Sequence, residues 1–210
     1  MSHAGRAMPH AGGAVAAAAV SAALLTGCGG GEEPADSRPV AAVRLVTPRS
    51  LDGGRYVLEK DTAALERAGA GVREGMPPGT TSVLARYRPA DDPAGDSGLA
   101  FSGAYGRIGE PGRVQDDMFR SFAASSSASV ARKRAEYRPR GERGPEVACE
   151  VLLVAGDGKP FYAPVCTWAR SSDAALVTDI DPGRTSLDAV DVAAFAKVTA
   201  RIYEDTRRRA

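Results

Sequence analysis

The sequence predicts an α+β fold: a single domain with a largely antiparallel sheet packed with helices, a long C-terminal helix and one cross-strand disulfide. Three observations lead there. Two β-type runs within residues 146–170 flank Gly156-Asp157-Gly158-Lys159, and Asp-Gly is among the strongest two-residue hairpin signals because both turn positions need positive φ. Other strand-like runs are joined by short turns, which favours antiparallel pairing. Two stretches, near 111–123 and 186–208, carry apolar residues at helical spacing.

In chain order, residues 40–46 and 55–59 read as short strands broken by "PRSLDGG". Residues 61–68 resemble a short helix capped by Asp61 and stopped by Gly69-Ala70-Gly71. Strands are expected at 80–88 and 99–108, separated by the loop "PADDPAGDSG". In the helix at 111–123, Val114, Met118 and Phe122 form the core stripe. The segment 124–144, serine-rich and then basic, reads as a flexible linker within the domain. A strand at 174–180 follows the hairpin. Ser186 then caps a helix to about Arg208, with Val192, Phe195, Val198 and Ile202 on one face and Arg207, Arg208 and Arg209 at the end favoured by the helix dipole.

A hairpin turning at Asp157-Gly158 places Cys149 directly opposite Cys166, at a non-hydrogen-bonded pair where close Cα approach suits a disulfide. Pro160 and Pro164 fall on the same class of position, and Trp168 shares the face of Cys166. The pair reads as structural: there is no Cys-x-x-Cys spacing and no histidine to lower a thiol pKa.

The chain opens with the three parts of an export signal. Arg6 supplies a positive start, residues 11–25 an apolar run, and Thr26 and Gly27 the small residues before Cys28. The run is shorter than the roughly 20 apolar residues of a spanning helix. Leu25-Thr26-Gly27-Cys28 resembles the lipobox of bacterial lipoproteins. The resemblance implies cleavage before Cys28 and acylation of its sulfur with diacylglycerol and palmitate-type chains. Two chains, at about 0.8 kcal/mol per buried methylene, hold a protein stably at a bilayer. The expected organisation is a signal peptide over 1–27, a tether over 28–39 and an extracytoplasmic domain over 40–210. The expected place is the outer face of the cytoplasmic membrane, exported and held there by lipid.

Thr47-Pro48 with Gly53-Gly54, then Gly103-Ala104-Tyr105-Gly106, then Cys166-Thr167-Trp168 resemble the motif series of a group of actinobacterial lipoproteins and exported proteins. That resemblance covers most of residues 40–205. It implies an address and a fold and carries no reaction.

Composition excludes several chemistries. His3 and His10 are the two histidines, and both lie in the leader. A mature chain without histidine has neither Ser-His nor Cys-His catalysis nor histidine-ligated zinc. The leader also removes Arg6 and no acid, leaving basic and acidic residues balanced, so nothing in the charge argues for nucleic acid. No cofactor and no metal site is expected. Asp91, Asp92 and Asp96 lack EF-hand spacing and read as a solvated loop.

Within 131–144, Arg132, Lys133, Arg134, Arg138, Arg140 and Arg143 are candidates for contact with anionic surfaces, against the simpler reading of a solvated linker. Asp173, Asp179 and Asp181 are the acids available to pair near the last strand. The function expected is a non-enzymatic binding or accessory module at the cell envelope, with an envelope protein or ligand as partner. The alternative is an envelope hydrolase using carboxylates.

Overall fold

The structure, a computed structural model, describes residues 43–59, 76–139, 144–155 and 159–209. The leader, lipobox, tether, the helix expected at 61–68 and the Asp157-Gly158 turn lie outside the described residues.

Ten strands and two α-helices are described. In chain order they are β1 (Val43–Leu45), β2 (Ser50–Leu51), β3 (Tyr56–Leu58), β4 (Thr81–Pro89), β5 (Gly98–Tyr105), α1 (Pro111–Ser125), β6 (Ala128–Tyr137), β7 (Val147–Val154), β8 (Phe161–Ala169), β9 (Asp173–Ile180), α2 (Val192–Thr206) and β10 (Arg207–Arg209). Eight strands form one antiparallel sheet in the order β2-β3-β4-β5-β9-β8-β7-β6, and β1 pairs with β10 in a separate ribbon. Two runs of adjacent strands, β2 to β5 and β6 to β9, therefore meet where β9 pairs with β5.

Side-chain alternation gives this sheet two apolar faces. One cross-strand row runs Ala85, Phe101, Val177, Cys166, Cys149, and α2 covers that face with Phe195, Val198 and Ile202. The opposite face presents Ala148, Leu152, Val165 and Leu176 to Val114, Met118 and Phe119 of α1. A sheet buried on both sides explains why β7, β8 and β9 read as nearly continuous apolar runs. The fold is richer in sheet than the expected element order, because among the described residues helix is confined to α1, α2 and two 3-10 turns.

The disulfide forms between Cys149 and Cys166. Their Cα atoms lie 4.1 Å apart, the spacing of the close pair in an antiparallel ladder. Every β7–β8 partner from Ala148↔Thr167 to Val154↔Phe161 keeps the register that the turn predicts. Beside the bond, Trp168 packs edge-on against Tyr203 with ring centroids 5.5 Å apart. Its indole Nε1 donates to Asp173 Oδ2 at 3.0 Å.

Two expectations are corrected. Residues 128–137, expected within a flexible linker over 124–144, form β6, the outer strand of the sheet. Charged side chains and bulges are what keep an open edge from pairing with other chains, so the basic run belongs to an edge strand. The final helix is also divided. Ser186 caps only the 3-10 turn Leu187–Ala189, accepting from Asp188 N at 3.3 Å, and Asp191 starts α2 by accepting from Ala194 N at 2.9 Å. Arg207–Arg209 are extended and pair with β1, so the helix dipole is not what places them.

Candidate functional site

The expected basic surface is dispersed by β6. Its register to β7 slips between Val130 and Arg132 and again between Arg132 and Ala135. Such bulges re-aim side chains. Arg132 reaches the carbonyls of Leu187 and Val190 beside α2. Arg134 pairs with Asp116 and lies 4.6 Å over the Phe119 ring on α1, at the other face. Arg138 pairs with Glu146, and Lys133 is exposed. Arg140 and Arg143 lie outside the described residues.

The aspartates of the β4–β5 loop are held by turn bonds, Asp92 N to Pro89 O and Gly95 N to Asp92 O. Arg86 and Arg88 donate to the carbonyls of Asp96 and Pro93. Among the described residues no group of acids, cysteines and histidines gathers to hold a metal ion.

Of the three acids near the last strand, Asp173 stands apart. It is fully buried, accepts from Trp168 and from Ser172 Oγ at 2.6 Å, and pairs with Arg207 at 3.2 Å. That arrangement ties β10 to the sheet. Asp179 and Asp181 converge elsewhere, at a fork between β8 and β9.

The fork has a simple cause. The β8–β9 ladder runs from Ala169↔Ala174 to Val165↔Thr178, and the next residue of β8 is Pro164, which has no N–H to donate. Beyond it the turn 181–184 folds back into the gap. Asp181 Oδ1 accepts from Gly183 N at 2.9 Å, and Tyr162 N donates to Arg184 O at 2.9 Å. Arg184 Nη1 donates to the carbonyls of Tyr162 and Asp179, one on each strand, at 3.3 and 3.4 Å. Its Nη2 meets Asp179 Oδ2 at 2.7 Å and Asp181 Oδ2 at 3.4 Å. The guanidinium is thus engaged on both sides.

A second turn forms the facing wall. Asp52–Gly54 is a 3-10 turn in which Asp52 has φ 52°, a left-handed value that aspartate tolerates better than most residues. Gly53 and Gly54, at φ 65° and 96°, supply the conformation a side chain would resist. Asp52 N donates to Asp205 Oδ2 at 2.7 Å, and its carboxylate pairs with Arg201 and Arg55. The turn is thereby fastened to α2, and it delivers Arg55 and Tyr56 to the fork.

Between these turns lie two adjoining cavities. The larger, about 600 Å³, reaches from Gly53-Gly54 to Gly98, Asp179, Asp181 and Arg184. The smaller, about 220 Å³, is bounded by Pro164 and by Asp191, Ala194 and Phe195 at the start of α2. Arg55, Tyr56, Asp179 and Arg184 line both. Burial raises the Asp179 carboxyl above its ordinary value, with Arg184 opposing. Burial likewise raises the Tyr56 hydroxyl, with Asp179 adding to it.

Two acids on one engaged guanidinium, beside an aromatic ring and an open glycine turn, offer hydrogen-bond acceptors and leave an excess of negative charge. Sequence reasoning reached Asp179 and Asp181 and missed Arg184, Tyr56 and Arg55. Pro164 at a strand position was the available signal. No model of a known protein family matches the chain, and the curated proteins contain no significant match.

Proposed function

We propose that the domain is a non-enzymatic binding module, held by the Cys28 lipid on the outer face of the cytoplasmic membrane, with the Tyr56–Asp179–Arg184 cleft as its ligand site. The observation that supports binding over hydrolysis is the sharing of Arg184 by Asp179 and Asp181. A carboxylate hydrolase needs one acid and one base of separate character. Here both carboxylates are tied to the same cation, in a cleft large enough for a small ligand and lined largely by charged and polar side chains. Anchoring is supported by the leader and by Leu25-Thr26-Gly27-Cys28. Among the described residues no helix is long and apolar enough to cross a membrane.

Two arms test this reading. Growth with a fatty-acid analogue is expected to label the native chain and leave Cys28→Ala unlabelled. Equal labelling of both would defeat the anchor. Ligand binding that weakens in Asp179→Asn, without any turnover by the parent, fits a binder, whereas parent turnover abolished in that variant establishes the hydrolase.

A further inference from the structure

The walls of the cleft narrow the chemistry of what it holds. Asp179, Asp181 and Asp91 face it against Arg55 and Arg184. An anionic ligand would approach these carboxylates with Arg55, itself paired with Asp52, as its cationic partner, since the Arg184 fork is already filled by two carbonyls and two carboxylates. A cationic ligand would meet the excess negative charge of the acids, but at Asp179 and Asp181 it would have to displace Arg184, which already holds an oxygen of each. Uncharged groups that both donate and accept meet neither obstacle, because each carboxylate accepts more bonds than one guanidinium supplies. Hydroxyls are such groups.

Shape adds a second constraint. Tyr56 and Arg55 line both cavities, so an occupant of one lobe continues past Tyr56 into the other. The half-buried ring at that junction, packed on the core with the Arg55 guanidinium 5.7 Å over it, presents its remaining apolar surface between polar groups, which suits a ligand with alternating C–H and O–H surfaces. Gly53 and Gly54 leave open space where side chains would stand, so bare backbone forms the rim.

We infer that the cleft binds a linear, uncharged oligosaccharide, with Tyr56 under the bond between successive sugar units and Asp179 accepting from their hydroxyls. This inference rests on the reading of the cleft as the ligand site.

The test is a printed glycan array carrying neutral hexose, pentose and N-acetylhexosamine oligomers beside sulfated, phosphorylated and uronic-acid glycans. It is probed with the full chain and with Tyr56→Ala, Asp179→Asn and Arg55→Ala. Arg55 has a side chain 66% exposed, so its variant keeps the test informative if Tyr56→Ala fails to fold. Expected is binding to linear neutral glycans that falls at least about tenfold in Tyr56→Ala and Asp179→Asn and less in Arg55→Ala. Binding confined to anionic glycans and lost in these variants overturns the ligand class and keeps the cleft. Neutral-glycan binding that no variant alters overturns the cleft itself. An array without bound glycan overturns the inference.

Discussion

Arg184 restores the strand-to-strand hydrogen bonding that Pro164 interrupts. Where the proline ends the β8–β9 ladder, the guanidinium donates to Tyr162 O on one strand and Asp179 O on the other. The side chain is 14% exposed and closes the fork while pairing with both acids beside it. The cleft therefore exists because a central strand carries a residue that cannot complete its ladder.

Arg184→Ala should cost about 3 kcal/mol, since it leaves Asp179 uncompensated in a partly buried place and two carbonyls unpaired. Asp179→Ala made in the same background should cost much less than it does alone. Urea unfolding of the two single variants and the double variant measures this coupling. Additive losses would show that the pair is incidental.

The Cys149–Cys166 bond joins residues 17 apart in sequence, and on the chain-entropy model it contributes about 3 kcal/mol. The double variant Cys149→Ala, Cys166→Ala should lose that amount and keep its fold, because the row from Ala85 to Val177 remains. Thiol titration of the denatured native chain should find no free sulfur from these two positions. Two reactive thiols there would refute the pairing.

Much of this was legible in the sequence where a local rule and a long-range one agree. A turn read from the sequence at Asp157-Gly158 implies the β7–β8 register that is found, and that register brings Cys149 to Cys166. Two-sided burial of β7, β8 and β9 left continuous apolar runs, so strand identity was readable. Partners across the sheet were not, because nothing local states that β5 pairs with β9. Pro164 was legible against β7, where its position needs no N–H. Its cost falls on β9, the neighbour that the hairpin pattern does not reveal. The basic run in β6 carried the charge of a solvated segment, and only its pairing with β7 distinguishes an edge strand from a linker.

Glu150 supplies a pH test. It is 6% exposed, in a row with Val165 and Thr178 on the α1 face, and burial raises its carboxyl above the usual 4.5, with Arg134 opposing. The folded state then holds a proton that the unfolded chain releases first. Stability from this group is present below the unfolded pKa and is lost as pH rises through the folded one. Glu150→Gln should match the parent near pH 4, exceed it at pH 7 and flatten the slope between. Urea midpoints at both pH values check this, and a variant weaker than the parent at pH 7 would contradict it.

Tyr87 is fully buried, and its hydroxyl has no hydrogen-bond partner among the described residues. Its pKa is pushed strongly upward by burial and by Asp205. Tyr87→Phe removes an unsatisfied polar atom without opening a cavity of note. It should be neutral or stabilising by up to about 1 kcal/mol. A thermal midpoint several degrees lower would mean that the hydroxyl is bonded.

Ligand binding should weaken toward acid. Asp179 accepts hydroxyls as a carboxylate, and burial raises its pKa, so protonation sets in above the ordinary aspartate range. Affinity should hold steady near neutrality and fall as pH drops through that window. Asp179→Asn should remove the fall. A parent whose affinity is unchanged from neutral to acid would contradict the role given to Asp179.

Amide chemical shifts of the full chain, followed during titration with a mixture of linear neutral hexose and N-acetylhexosamine trimers, test the central claim most directly. Saturable shifts are expected to concentrate at Gly54, Tyr56, Gly98, Asp179 and Gly183, the two turns and strand ends that bound the fork. Shifts centred away from the fork, or none at all, would contradict it.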